Sequence, residues 1–234
     1  MALALPAWVA ASFYAAEAGI TLILVGLVWI GVPFSHVNDD VLQSIFALIV
    51  YAAALVLALG VPWWIKKLRN KTTLSDLGYR RPLSWVDIML LPAAYLTYIV
   101  LSSIIVYAVS NYLPGFNANQ AQDTGFTHLG PLYQYILALI VLVILAPVAE
   151  ETLFRGYLFG KLRRYVPTWV AILVTSALFG AIHGQWNVGI DVFVLSVVSC
   201  FLRLFTGNLW ASILLHVAKN GVAYYVLFIL PLIH

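Results

Sequence analysis

The chain has 234 residues, of which 63% are hydrophobic and 9% are charged, and its mean hydropathy is +0.98. Because an ordinary soluble domain carries about 25% charged residues, this composition excludes one and indicates an integral membrane protein. The formal net charge of +3 does not indicate nucleic-acid binding, since the basic residues lie in short clusters beside apolar stretches. The single cysteine, Cys200, excludes an intramolecular disulfide and a cysteine-based metal cluster.

The apolar residues are grouped into seven stretches. Each crossing of a membrane needs about 20 apolar residues. The stretches do not alternate with a period of two, so helices are favoured over a β-barrel. The predicted fold class is therefore all-α: a polytopic membrane bundle of about seven transmembrane helices, forming one domain over residues 1–234. A weakly hydrophobic region at 184–191 leaves a re-entrant segment open as an alternative. The predicted spans are Trp8–Val32, Val41–Ile65, Trp85–Leu113, Leu132–Phe159, Thr168–His183, Val188–Phe205 and Leu209–Leu230.

Basic residues are concentrated on one side of the predicted bundle. The loop 66–81 and the turn 161–164 are basic, whereas the opposite loops 33–40, 111–130 and 184–187 contain no Lys or Arg. The positive-inside rule therefore predicts a cytoplasmic N-terminus and an external C-terminus, in the plasma membrane if the source is prokaryotic. The basic residues of the two segments are Lys66, Lys67, Arg69, Lys71, Arg80, Arg81, Lys161, Arg163 and Arg164. Tryptophans near the span ends are typical of interfacial anchors; they are Trp63, Trp64, Trp85, Trp169 and Trp210.

Two adjacent carboxylates, Glu150 and Glu151, interrupt the fourth apolar stretch, and Arg155 follows four residues after the second. Ionised groups in hydrocarbon cost about 2.5–3.5 kcal/mol each on insertion scales, so they face the protein interior and usually mark function. On a helix Glu151 and Arg155 share a face, whereas Glu150 points about 100° away. The spacing predicts an ion pair between Glu151 and Arg155 that leaves Glu150 free to act on a substrate or a water.

Polar groups also interrupt the later stretches. His183 lies four residues after Phe179, and His216 and Asn220 are four residues apart, so the last two can project into one cavity. A neutral imidazole can accept a proton or hold a water, and an amide can donate to a developing oxyanion. Together these groups indicate a water-activating site, although a structural ion pair and backbone-bonded histidines would explain each group taken alone.

Three motifs in this order resemble the CPBP family of intramembrane proteases, which includes type II CAAX prenyl endopeptidases and bacteriocin-processing, Abi-like proteins. The motifs are Glu150-Glu151-x-x-x-Arg155, Phe179-x-x-x-His183 and His216-x-x-x-Asn220. The segments 77–82 and 203–216 are also similar to that family. The resemblance covers residues 75–222, which we interpret as a catalytic core.

The resemblance implies an endopeptidase that hydrolyses a peptide bond in a membrane-associated substrate. The substrate class would be a CAAX-type prenylated C-terminus or a bacteriocin-like membrane peptide, and no cofactor is expected. In such an enzyme Glu150 and His183 would activate the attacking water. His216 and Asn220 would stabilise the oxyanion. Glu151 and Arg155 would orient the site.

Other functions stay open at this point. A zinc-dependent version of the same protease is the nearest alternative, because Glu150, His183 and His216 could supply three ligands and leave a position for water. Without a His-Glu-x-x-His helix, the metal-free version is favoured. A non-catalytic peptide-binding or immunity protein, or a small transporter with a carboxylate proton relay, is a further alternative. The predicted partners are a membrane-embedded or lipidated peptide and the lipid bilayer.

Lys219 lies inside the last apolar stretch, where relatives of the resembled family commonly carry an apolar residue. A lysine at this position must reach the interface or pair with an acid. Glu17 in the first stretch and Asp191 in the sixth are the candidate partners. We expect a structural ion pair, with contact to a substrate carboxylate as the alternative.

Overall fold

The structure is a computed structural model that describes residues 4–34, 37–65, 72–114, 116–118, 120, 124–126 and 129–232. In this part the chain forms eight helices, which we number in chain order. They are α1 (Ala4–Trp29), α2 (Asp39–Trp64), α3 (Leu74–Leu77), α4 (Trp85–Tyr112), α5 (Leu132–Leu162), α6 (Thr168–Ala181), α7 (Trp186–Thr206) and α8 (Trp210–Leu232). Six of them, all except α3 and α6, are long and apolar enough to cross a membrane.

One of the seven predicted spans, Thr168–His183, corresponds to the short helix α6. This helix has 14 residues and a length of about 21 Å, less than the ~30 Å hydrocarbon core. It stops because Ile182 and His183 form a turn and Gly184 adopts a positive φ of 69°. The chain then reverses directly into α7, which begins at Trp186 and runs through the region where a re-entrant segment was considered.

The long helices contain π-helical turns, and three of these turns end two residues before a proline. The turns at Val56–Gly60, Ile140–Leu145 and Tyr225–Ile229 are followed by Pro62, Pro147 and Pro231. Proline lacks an N–H group, and its ring clashes with the carbonyl four residues earlier in an α-helix. A wider turn on the N-terminal side relieves that clash, which explains how α5 continues through Pro147 as one helix.

Helices α5 and α7 form the centre of the bundle. In their most apolar stretches 39% and 56% of the residues are buried, against 11–22% in the other four spanning helices. Helix α5 contacts α1, α2, α3, α6, α7 and α8. Residues 150–160 of α5 are all buried. The carboxylates of the sequence motif are therefore enclosed by protein.

One end of the bundle, which we call the basic end, carries Arg80, Arg81, Arg163, Arg164 and Arg203. Helices α5 and α7 end at the basic end. Helix α8 begins there, and the N–H of Leu209, just before it, donates to the carbonyl of Gly78. The indole of Trp8 in α1 donates to Ala58 near the end of α2, so α1 starts at the same end. The described chain thus begins at the basic end with α1 and finishes at the opposite end with α8, as the alternating loops predict. The basic residues Lys66, Lys67, Arg69 and Lys71 lie outside the described residues.

The tryptophans at the helix ends differ in their surroundings. Trp63, Trp64, Trp85 and Trp169 are exposed, as interfacial anchors are. Trp210 is half-buried instead: its indole N–H donates to the Arg81 carbonyl at 3.1 Å, and its ring packs edge-on against Tyr79. Trp210 therefore fixes the start of α8 to the basic end.

Candidate active site

The candidate catalytic residues come from helices α5 and α8 and from the turn after α6. Helix α5 supplies Glu150, Glu151 and Arg155, and α8 supplies His216 and Asn220, whereas His183 lies in the turn after α6. The ring of Phe179 on α6 lies between these elements. Its centroid is 5.0 Å from that of His183 and 5.8 Å from that of His216, and the Arg155 guanidinium carbon lies 4.3 Å from it. These contacts hold the three cationic or titratable side chains around one buried ring.

Glu151 is held on two sides. Its Oε1 lies 3.0 Å from Nη1 of Arg155 and 3.0 Å from Nδ1 of His216. Glu151 and Arg155 are both 0% exposed. The ion pair predicted from the i, i+4 spacing is therefore confirmed, and His216 is an additional partner that the spacing did not predict.

Glu150 points to a different side of α5 and has different partners. Its Oε1 accepts a hydrogen bond of 2.6 Å from the hydroxyl of Tyr51 in α2, and its Oε2 lies 3.6 Å from Nε2 of His216. The imidazole of His216 thus lies between the two carboxylates, with one ring nitrogen toward each. Tyr51 was missed in the sequence reasoning; the available signal was a phenol within the apolar span of α2.

His183 is oriented by its own helix. Its Nδ1 lies 2.7 Å from the carbonyl oxygen of Phe179, four residues earlier. Because a carbonyl oxygen can only accept, Nδ1 carries the proton, and Nε2 of the neutral ring is left as an acceptor. This arrangement matches the expectation for a backbone-bonded histidine and also leaves one nitrogen able to hold a water.

Asn220 has a backbone partner that its spacing from His216 did not predict. Its Nδ2 donates to the carbonyl oxygen of Leu142 at 2.8 Å. In the π-helical turn the N–H of Ala146 donates to Val141, five residues earlier, so the next donor in register for Leu142 would be residue 147, which is proline. Asn220 therefore donates to the Leu142 carbonyl in place of residue 147, which as a proline has no N–H group. This bond uses one N–H of the Asn220 amide, and the shared cavity of His216 and Asn220 stays a prediction.

We expect Asn220→Ala to lower the free energy of unfolding by about 1–3 kcal/mol, because the Leu142 carbonyl then lacks a donor. The cost should become smaller in a Pro147→Ala background, since residue 147 then has an N–H group to offer. A double-mutant cycle on thermal unfolding in detergent measures this coupling. Additive effects of the two substitutions would show that Asn220 does not replace the missing donor.

Lys219 pairs with Asp191, one of its two predicted partners. Its Nζ lies 3.6 Å from Oδ2 of Asp191, and the two side chains are 10% and 26% exposed. The other oxygen of Asp191 accepts hydrogen bonds from Tyr98 and Ser102 of α4 at 2.6 and 2.7 Å. The pair therefore joins α8, α7 and α4, which confirms the structural ion pair.

Replacing Lys219 with methionine is expected to destabilise the fold by about 1–3 kcal/mol, because Asp191 loses its cation in a mostly enclosed position. The variant Lys219→Met with Asp191→Asn removes both charges and should recover part of that loss. Thermal unfolding of the two variants and of Asp191→Asn alone tests the pair. Normal stability together with lost peptide cleavage in Lys219→Met would favour contact with a substrate instead.

The alternative zinc ligands are not assembled in the described part of the chain. No group of three or more His, Cys, Asp and Glu side chains there is placed to hold a metal ion. His183 turns its Nδ1 toward Phe179, and His216 has both ring nitrogens directed at carboxylates. The set of Glu150, His183 and His216 therefore does not fit a three-ligand site in this arrangement.

Six candidate spans around a charged, buried site define the class of this molecule: it is an integral, multi-pass membrane protein. The family resemblance is confirmed over residues 132–222, which match the sequence model of the Rce1-like family, described as type II CAAX prenyl endopeptidase Rce1-like. This segment includes all six candidate catalytic residues and lies within the predicted core 75–222.

Similar proteins occur in three bacteria. An uncharacterized 24.3 kDa protein of Escherichia coli is 40% identical over 86 residues, 35% of this chain and 40% of the relative. "Putative membrane peptidase YdiL" of Bacillus subtilis is 30% identical over 84 residues, 36% of this chain and 34% of the relative. YxdF of Lactococcus lactis is 29% identical over 174 residues, 71% of this chain and 87% of the relative. No solved structure matches.

The first two alignments cover less than half of this chain and less than half of each relative, so they compare only one part of each protein. The chain spans 40% of the length of the first relative and 34% of the second. The likeness is thus strongest in a limited segment.

Proposed function

We propose that this protein is an intramembrane endopeptidase that hydrolyses a peptide bond in a membrane-associated substrate. The observation that carries the proposal is the position of the His216 imidazole between two buried carboxylates, Glu150 and Glu151, inside a membrane bundle. A paired acid and imidazole that face one site are suited to general acid–base chemistry. The match of this segment to a family of CAAX endopeptidases supports the same reaction class.

In the proposed reaction Glu150 is the general base. It takes a proton from a water molecule as the water oxygen attacks the carbonyl carbon of the substrate, and it later gives that proton to the leaving amine. Tyr51 positions the Glu150 carboxylate through its 2.6 Å hydrogen bond. His183 offers Nε2 to the same water. Glu151 and Arg155 hold His216 in place from the opposite side.

Stabilisation of the tetrahedral oxyanion is assigned to His216 and Asn220, as the family resemblance implies. Asn220 uses one N–H on Leu142, so the second N–H of its amide is the group that would reach the substrate. Arg155 keeps buried N–H groups that have no acceptor among the described residues, and these add positive potential behind the site.

An apolar cavity beside the turn of His183 supports an apolar substrate. It has a volume of about 490 Å³ and lies between α4, α6 and α7, lined by Ile105, Ala177, Gly184 and Phe193 among others. A cavity of this size accommodates large apolar groups. We propose that it receives an apolar part of the substrate, either the isoprenoid of a CAAX-type C-terminus or an apolar segment of a bacteriocin-like membrane peptide.

The test is a comparison of membrane peptides by mass spectrometry in cells that carry the wild-type protein or its Glu150→Gln variant. The proposal predicts that specific peptides disappear in the variant and that their uncleaved precursors accumulate. If the set of peptides did not change and cells with the variant kept the wild-type phenotype, a peptide-binding or immunity protein would be favoured. If the variant lost solute uptake driven by voltage or pH while the peptides did not change, a transporter would be favoured.

The proposed mechanism uses no metal ion. Cleavage by the purified protein is therefore expected to continue after treatment with a chelator. If chelation abolished cleavage and Zn²⁺ restored it, the zinc-dependent alternative would replace the proposed mechanism.

A further inference from the structure

Arg203, in the last turn of α7, is a buried cation without a partner. The residue is 2% exposed, and its Nε has no hydrogen-bond acceptor. Among the described residues no hydrogen bond or ion pair is formed by its guanidinium. An unpaired charge in such a position is costly, so proteins pair it or place it where a ligand compensates it.

The guanidinium of Arg203 lies against the backbone of Gly78, which follows α3. Gly78 has a φ of 104°, and a Cβ at this position would lie 2.6 Å from Cζ of Arg203. Only glycine satisfies both the left-handed backbone and this close approach. The loop 72–81 and α7 therefore meet directly at the arginine.

The charged neighbours of Arg203 are arginines. Arg80, in the loop after α3, lies beside the end of α7, since a Cβ at Gly207 would be 3.9 Å from its Nη1. Arg163, which follows α5, is the other like charge that acts on Arg203. Burial, together with the nearby charges of Arg80 and Arg164, lowers the pKa of the Arg163 side chain. Three guanidinium groups from three chain segments thus share one region of the basic end.

The acids at this end of the described chain are already paired with other arginines. Asp87 forms a bidentate pair with Arg81. The N–H and hydroxyl of Thr73, together with Arg164, hold the pKa of the Asp76 carboxyl below its ordinary value. Both carboxyl groups, of Asp76 and of Asp87, therefore already have an arginine partner. Neither is within salt-bridge distance of Arg203, Arg163 or Arg80.

The end of α7 supplies some negative potential to Arg203, because a helix C-terminus carries a partial charge of about −0.5. This partial charge does not balance three arginines. The remaining positive charge lies at the basic end, where the exposed Phe205 is two residues from Arg203 and the exposed Trp169 lies in the first turn of α6. Phosphate groups of lipids occupy this level of a bilayer, and basic pockets between helix ends bind them.

We propose that Arg203, Arg163 and Arg80 form a binding site for a phosphate group, supplied by the head group of an anionic phospholipid. The planar guanidinium of arginine matches phosphate oxygens with two parallel hydrogen bonds. Bound phosphate would give Arg203 its missing acceptor and would fasten the loop 72–81 to α7. Glu150 and Glu151 pair with Arg155 and His216 and form no ion pair with these three arginines.

The test measures thermal unfolding of the full chain after removal of lipid, in vesicles of phosphatidylcholine with or without phosphatidylglycerol. Wild-type protein should be stabilised by phosphatidylglycerol. Arg203→Met should be more stable than wild type in phosphatidylcholine, because a buried unpaired charge is removed, yet gain nothing from phosphatidylglycerol. A merely structural arginine would instead lower stability equally in both vesicles when replaced.

Arg164→Met is the matched control, since it removes one charge at the same end but from an exposed arginine that is paired with Asp76. It should keep the response to phosphatidylglycerol. If Arg203→Met does not fold, Arg163→Gln is measured instead. Its affinity for phosphatidylglycerol should fall by at least about fivefold. Equal losses in Arg163→Gln and Arg164→Met, or no response of the wild type, would overturn the site. Equal stabilisation by inorganic phosphate alone would overturn the lipid as its source.

Discussion

The variant Glu150→Gln is expected to lose peptide cleavage by about 10²–10⁴-fold while it folds normally. Glutamine has almost the same shape as glutamate, and its carbonyl oxygen still accepts the hydrogen bond from Tyr51, but it cannot take a proton from water. The measurement is cleavage of a membrane peptide by purified protein in vesicles, together with thermal unfolding of the same sample.

Glu17→Gln is the matched control for this prediction. Glu17 lies in the apolar helix α1, but it is exposed and outside the site, so the same chemical change should leave cleavage unchanged. If Glu150→Gln cleaved the peptide as well as Glu17→Gln does, Glu150 would not be the base.

Arg155→Met is expected to destabilise the protein by about 3–5 kcal/mol, because it leaves the fully buried Glu151 carboxylate without its guanidinium. Methionine fits much of the apolar volume of the arginine, so the loss reports the charge more than the packing. Chemical or thermal unfolding in detergent measures the difference between variant and wild type.

The loss should be partly reversed when Glu151 is also replaced, in Glu151→Leu with Arg155→Met, since both buried charges are then removed. Arg164→Met, on the exposed pair with Asp76, should cost no more than about 1 kcal/mol. Equal destabilisation by Arg155→Met and Arg164→Met would contradict a buried pair that holds the site.

The helical class, the basic end and the Glu151–Arg155 pair could be predicted because each depends on local pattern. Apolar runs mark the spans, an i, i+4 spacing places two side chains on one helix face, and adjacent residues must diverge. The pairing of Lys219 with Asp191 could be narrowed to two candidates, since few acids lie within the apolar stretches. The family motifs then identified the segment that the comparison matches.

Contacts between distant segments could not be predicted in the same way. Tyr51 and Glu150 are 99 positions apart, and nothing local indicates that α2 faces this side of α5. The bond of Asn220 to Leu142 depends on the π-helical turn before Pro147, which leaves a carbonyl without a backbone donor and is seen only in the folded structure. The short length of α6 could not be predicted, because its apolar run continues into the turn at His183.

The division of roles between the adjacent carboxylates is the central claim, and it is tested most directly by Glu150→Gln and Glu151→Gln prepared and measured side by side. Thermal unfolding and peptide cleavage are recorded on the same samples. We predict that Glu150→Gln unfolds at the wild-type temperature without cleaving, whereas Glu151→Gln unfolds at a clearly lower temperature because Arg155 has lost its anion. A stable Glu151→Gln variant without cleavage, beside an active Glu150→Gln variant, would contradict the account.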